Sequence, residues 1–533
     1  MLPRIITHSL LVLMSLTLLA SCGSSGGSSD NSQEDQAEAA EEEVVPEEET
    51  AEPEVEPVQT AVDIELRALI DAQGLTGNPE LGRTIPNIND PLPQLGKLLF
   101  FSKSLGGDID SACVTCHHPV FGGADQLSLS VGVGALNDEV LGEGREHIGG
   151  LPLVPRNAPT VFNVALYDAS LFWDSRVESL GKEAGSNGAS SGIRTPDTAF
   201  GVADIGAGEN LVTAQARFPV TSIEEMKGEV FENGSSNDDI RGHLAARIGD
   251  YGIGANELLS NAWLFEFQQA FSSSSPAETL VTFDNIVQAI GEYERSMLFV
   301  DNPWNEYVNG NVDALSDDQK AGAILFFTSI DSGGGGCSAC HSGDRFTDEQ
   351  HHLIGFPQIG VGKGDGTVGS DDFGRERETG DTDDRYRFRT PSLLNVTMTA
   401  PYGHSGSYES LNDVLAHYNN PQGSVNNYFD DEEWCELDQF ENMPNCENLY
   451  PNAEANTDLA INKLQQERQQ NTTLFESINL NGQERQQVVA FLNALTDPCI
   501  EDRDCLEPWI PDPTTNGPDG NQLNAIDENN NLL

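Results

Sequence analysis

Cys113-Val114-Thr115-Cys116-His117 and Cys337-Ser338-Ala339-Cys340-His341 are the two stretches on which the rest of this chain depends. Both read C-x-x-C-H, the spacing at which two thiols bond covalently to haem vinyl groups while the adjacent imidazole coordinates iron. A single copy would serve equally well as half of a zinc site. Two copies in a chain that carries an export signal point to c-type haem at both, because small disulfides or metal knots give neither histidine a reason to be there. His117 and His341 are therefore the expected iron ligands, and Cys113, Cys116, Cys337 and Cys340 the expected attachment points.

Each motif follows a helical pattern. Residues 92–101 (LPQLGKLLFF) carry helical apolar spacing after Asp90-Pro91, and Ser316-Asp317-Asp318-Gln319 opens a second helix through residues 323–327. A helix followed by C-x-x-C-H, twice, is an internal duplication. Residues 283–299 and 482–495 also have helical spacing, and strand signals are few. The expected architecture is mainly α, two cytochrome c-like domains (62–300 and 301–507), each with one covalently bound haem, packed across a shared interface.

The flanks give the compartment. An apolar run at residues 10–20 follows Arg4, is too short to span a bilayer as a mature helix, and ends in Leu19-Ala20-Ser21-Cys22. It reads as a lipoprotein signal peptide (1–21) with Cys22 as the lipidated anchor, and Gly23 favours the periplasmic side of the outer membrane. Residues 22–61 are Ser/Gly-rich, then Glu/Pro-rich, and read as a disordered acidic tether; residues 508–533 read as a loose polar tail. The formal charge of -59 over 533 residues excludes nucleic acid and anionic lipid surfaces as partners by repulsion, and leaves room for a small basic electron donor. Beyond the haem thiols, Cys435, Cys446, Cys499 and Cys505 most simply form two local bridges, 435–446 and 499–505, in an oxidising compartment.

Between and after the pentapeptides stand Pro155-Arg156-Asn157-Ala158-Pro159-Thr160, Phe172-Trp173-Asp174-Ser175-Arg176, Gln215-Ala216-Arg217-Phe218-Pro219 with Glu224-Glu225-Met226, Arg389-Thr390-Pro391-Ser392-Leu393, and Thr399-Ala400-Pro401-Tyr402-Gly403-His404. In this order they resemble the bacterial di-haem cytochrome c peroxidase family, which includes the MauG-type enzymes. The resemblance implies that the haem on His117 is peroxidatic, with Glu225 as acid/base and Gln215 and Pro219 as its companions. The family's distal-histidine loop corresponds to Ser130-Val131-Gly132-Val133-Gly134, so Val133 stands in the histidine's place and the iron is expected to be open, as in the MauG branch. His118 and His147 are the substitutes to consider, and otherwise both are expected at the surface. Residues 181–210 read as a Gly/Ser-rich surface-loop insertion that shapes access.

The haem on His341 is implied to be the electron-transfer centre. The interval from His404 lands on Tyr418 where the peroxidase branch has methionine, with His417 and Met398 as rivals. Trp173 matches an aromatic relay between the haems, and His404 a hydrogen-bonding residue near the second. A calcium ion is implied on Asn157, Thr399 and Pro401. The resemblance thus implies a peroxidase that reduces hydrogen peroxide with electrons from a small cytochrome or similar protein. Its alternatives are a MauG-like oxidase that uses peroxide-derived high-valent haem on side chains of a partner protein, and a non-enzymatic di-haem electron carrier.

Overall fold

The computed structural model describes residues 59–533. The expected signal peptide, the expected lipidation site at Cys22 and nearly all of the expected acidic tether lie outside the described residues. Among the described residues the first helix is Ala61–Gln73, where Thr60 and Asp63 cap each other: Asp63 N donates to Thr60 Oγ1 at 3.2 Å and Thr60 N to the Asp63 carboxylate at 2.8 Å. Among the described residues no helix is long and apolar enough to cross a membrane.

The duplication is built as two helix crossings. Pro91–Phe100 crosses Phe283–Ser296, and Asp317–Phe327 crosses Gly482–Asn493. Each leading helix carries the same string, G-x-x-L-F-F, at Gly96–Phe101 and Gly322–Phe327. The glycine is the point of closest approach. A Cβ on Gly96 would lie 2.0 Å from the Ala289 carbonyl oxygen, and one on Gly322 1.9 Å from that of Gln487. The Leu-Phe-Phe face one turn on then fills the core beneath: Leu99, Phe100 and Phe101 in the first, Phe326 and Phe327 in the second.

The chain is mainly helical. Its sheet is slight: antiparallel β1 (Ser170–Leu171), β2 (Val177–Ser179) and β3 (Ile193–Arg194), with Leu171 opposite Val177 and Glu178 opposite Arg194, and a separate pair, β4 (His351–His352) with β5 (Phe388–Arg389). Residues 181–210, expected as a surface loop, thus supply the edge strand β3. They also bury Asn187, whose side-chain amide donates to the carbonyls of Val164 (2.9 Å) and Tyr167 (2.8 Å).

Two segments, Ala61–Gln73 and residues 508–533, cross over to the core of the other half. Leu66 and Ile70 of the Ala61–Gln73 helix, expected in the first domain, belong instead to the second core with Trp304, Tyr307 and Phe491. Buried Asp63 pairs there with Lys320 at 2.9 Å and accepts from Tyr307 Oη at 2.9 Å. Conversely, residues 508–533 are not a loose tail. Ile510, Leu523 and Ala525 are buried in the first core, Leu523 N donates to Phe101 O at 2.8 Å, and Trp263 Nε1 donates to Asp519 at 2.6 Å. A third, smaller core around Tyr408, Tyr428, Trp434 and Phe440 is stapled by the Cys435–Cys446 disulfide.

Candidate functional site

Both pentapeptides begin with a tight turn, Cys113–Thr115 and Cys337–Ala339, and all four of their thiols are free. The other described cysteines are paired as expected, Cys435 with Cys446 and Cys499 with Cys505. His117 Nδ1 lies 3.2 Å from Gly123 O, and His341 Nδ1 3.1 Å from Phe346 O. An N–H donated to a carbonyl fixes the tautomer and leaves Nε2 with its lone pair, the arrangement a metal-bound imidazole requires. Burial lowers the affinity of both rings for a proton, His117 to about 4, so each is neutral and able to ligate. The four thiols and both imidazoles line one cavity of about 370 Å³. Paired free thiols beside an oriented neutral imidazole fit haem c at both places.

Glu225 sits in a wide single turn, Ile223–Lys227, started by Ser222, whose hydroxyl accepts from Glu225 N at 3.3 Å. It lines the cavity together with Gln215, Pro219 and Trp173, so the structure brings all four expected residues to one wall system. Burial raises the proton affinity of Glu225; the cations Arg176, with Nη2 4.0 Å from its carboxylate, and Lys363 oppose that rise. The loop 130–134 backs this turn. Arg145 Nε and Nη2 donate to Val131 O (2.6 Å) and Gly132 O (2.8 Å), and Val133 N donates to Glu224 O at 3.3 Å. A Cβ on Gly132 would stand 2.3 Å from Glu225 O, so glycine is required there. Ser130 of this loop lines the cavity, whereas Val133 is not among the lining residues.

Neither substitute histidine reaches the cavity. His118 was expected at the surface but is buried against Phe101 and Phe121, and its Nδ1 accepts from Val120 N at 3.2 Å. His147 accepts from Gly149 N at 3.0 Å and packs against Gly134.

Of the three candidates on the second side, only Tyr418 lines the cavity. It projects from the Leu411–Asn419 helix, stacked on Phe356 at 5.9 Å and edge-on to Phe475 at 5.3 Å; among the described residues its hydroxyl has no hydrogen-bond partner. His417 is fully buried with both nitrogens engaged, Nδ1 3.1 Å from Tyr408 Oη and Nε2 3.0 Å from Ile354 O. Met398 packs against Gly122 beside the first core.

Trp173 Nε1 donates to Asn157 O at 2.9 Å, and Arg389 N donates to Trp173 O at 2.8 Å. Buried Arg156 locks the neighbouring strings together, with 2.6 Å contacts to Asp174 and to Asp372. Asn157, Thr399 and Pro401 also border the cavity; Asn157 Nδ2 donates to Leu127 O at 2.8 Å, which leaves its side-chain oxygen for another partner. His404 lies against Phe388 with ring centres 3.9 Å apart, and its buried Nε2 has no partner among the described residues.

Sequence reasoning missed Lys363. It lines the cavity from a glycine-rich loop of the second half, and burial pushes it down to about 8. Nothing in that loop's composition marks one lysine as buried; only the fold brings it opposite Arg176 and Glu225.

A family model described as di-haem cytochrome c peroxidase matches residues 91–313, which include the first pentapeptide and Glu225. The cytochrome c551 peroxidase of Pseudomonas aeruginosa is 31% identical over 337 residues, covering 63% of this chain and 73% of that protein. The methylamine utilization protein MauG of Methylorubrum extorquens is 29% identical over 336 residues, 62% of this chain and 70% of its own. Among solved structures, a MauG-like protein associated with microbial copper homeostasis has the same fold, with a TM-score of 0.50 at 20% identity over 80% of this chain and 97% of that one.

Proposed function

This chain belongs to the di-haem cytochrome c peroxidase family, and from that premise we propose how its residues divide the work. The enzyme is an oxidoreductase that reduces hydrogen peroxide with electrons from an external cytochrome: H2O2, two electrons and two protons give two waters. The bound haem irons supply the redox chemistry. His117 and His341, each with Nδ1 engaged by a carbonyl, would hold the irons, and the four pentapeptide thiols would attach the porphyrins. Glu225 takes the proton from the near oxygen of peroxide and returns it to the far one, with Gln215 and Pro219 shaping the space beside it. Trp173, held by Asn157 and Arg389, would be the aromatic group through which electrons pass between the two centres. Tyr418 would be the second protein ligand to the metal held by His341, where a phenolate oxygen would be a hard anionic donor that favours the oxidised state.

The single observation that carries this reading is that one cavity is walled by both pentapeptides and by Glu225, Trp173 and Tyr418. Asn157, with the carbonyls of Thr399 and Pro401, forms the proposed calcium site: hard oxygen donors from segments far apart in sequence. The lipid anchor on Cys22 and a periplasmic location remain part of the proposal on sequence grounds.

Steady-state peroxide consumption with a reduced small cytochrome tests the function. Sustained turnover is the expected result; absence of any reaction with peroxide leaves an electron carrier. Slow turnover with long-lived oxidation of the protein would favour the MauG-like alternative, whose specific support is Tyr418 at the position where the peroxidase branch has methionine.

A further inference from the structure

We propose that residues 196–209 are the docking surface for the electron donor, a small protein whose redox centre lies under an apolar patch ringed by lysines. The inference rests on the peroxidase reading above and adds its partner surface.

This segment is a tight excursion after β3. Val202 N donates to Ala199 O at 3.0 Å, and the chain rejoins the strand where Asp204 N donates to Ile193 O at 2.8 Å. Gly192 allows the close return, since a Cβ there would lie 2.7 Å from that of Ala203. The excursion is thus seated on the sheet. Yet its tip presents Phe200 (48% exposed), Val202 (52%) and a fully exposed Ile205 to solvent. Apolar side chains grouped on a seated loop of so acidic a protein mark an interaction surface more than chance exposure.

The tip stands close to the relay. The Phe200 ring centre lies 5.3 Å from the guanidinium carbon of Arg375 and 5.8 Å from that of Arg194. Buried Arg375 donates to Asp174 O at 3.1 Å and Ser175 O at 3.0 Å, the residues that follow Trp173. One arginine therefore separates the exposed ring from the main chain of the turn that holds Trp173 in the cavity wall. An electron entering at Phe200 is led to the main chain beside Trp173, which lines the cavity that both pentapeptides border.

Charge selects the occupant. Residues 196–209 contain no lysine or arginine; of their acids, Asp197 is paired with Arg241, Asp204 and Glu209 have no ion-pair partner among the described residues, and the arginines beside Phe200 are themselves paired, Arg194 with Glu378 and Arg375 with Glu178, within a chain of formal charge -59. An acidic donor is repelled over long range, and a lysine-ringed one is attracted and steered. A second copy of this chain, equally acidic, is disfavoured for the same reason.

The test compares the holoenzyme with its F200S/V202S/I205S variant and with Glu209→Lys. The probe donor is a reduced, lysine-rich soluble cytochrome c, and ferrocyanide serves as a small donor that needs no docking. The triple variant should lose at least about tenfold in kcat/KM for the cytochrome while ferrocyanide-driven turnover stays unchanged. Glu209→Lys should weaken the cytochrome reaction at low salt only. Unchanged kcat/KM for the cytochrome overturns the proposal, as does an equal loss with both donors, or a wild-type dimer that the triple variant dissolves. Failure of the wild type with ferrocyanide as well as the cytochrome would instead overturn the peroxidase reading.

Discussion

Glu225 is a carboxylate under opposed influences. Burial favours its protonated form, and Arg176 and Lys363 favour the charged one. Taking a proton from peroxide requires the carboxylate, so a raised proton affinity moves the acid side of the activity profile to higher pH than an ordinary glutamate would give. Lys363→Met removes one of the two opposing cations, and its acid limb should move further toward neutral pH, read from kcat/KM against pH. Glu225→Gln should lose about 10²- to 10⁴-fold in kcat/KM along with the limb itself. A profile that Lys363→Met leaves in place would mean that the lysine does not act through Glu225. The sequence showed Glu225 because it stands in a spaced string with Gln215 and Pro219. It could not show Lys363, whose role depends on burial created by a loop from the other half of the chain. Tyr418 illustrates the intermediate case: counting an interval left His417 as a rival, and the fold shows both His417 ring nitrogens engaged while Tyr418 lines the cavity.

At the scale of elements, the helices were legible and their crossings were not. Apolar spacing and caps mark helices before each pentapeptide, and the Ser316–Gln319 capping box is present as read. The sequence alone does not tell which helix each will cross, because a glycine in a helix reads as a weak spot until its neighbour is known. Here Gly96 and Gly322 are contact points. Gly→Ala in a helix interior ordinarily gains about 1 kcal/mol. At these two positions the sign should reverse, because the added methyl meets a backbone carbonyl at 2.0 and 1.9 Å; a loss of about 1–3 kcal/mol or more is expected for each, measured by thermal or denaturant unfolding. Stabilisation in either variant would refute the close crossing. The insertion at residues 181–210 was misread as loop alone since a two-residue edge strand leaves almost no alternation to detect.

Over the whole molecule, composition indicated a tail at residues 508–533, and packing makes it part of the first core. Segments with few apolar residues look disordered when averaged, but three well-placed side chains and a main-chain bond to Phe101 suffice to seat this one. Leu523→Ala should therefore cost about 2–5 kcal/mol, the range for a fully buried leucine, whereas a true tail position would cost nothing measurable. Denaturant unfolding of the holoprotein distinguishes the two. The first helix does the reverse, resting on the second core through Leu66 and the Asp63–Lys320 pair. The Ala61–Gln73 helix and residues 508–533 are thus each clasped by the core of the other half. A protease that nicked the exposed turn at residues 309–311 would produce two pieces still buckled together, each fragment holding the other's missing strap.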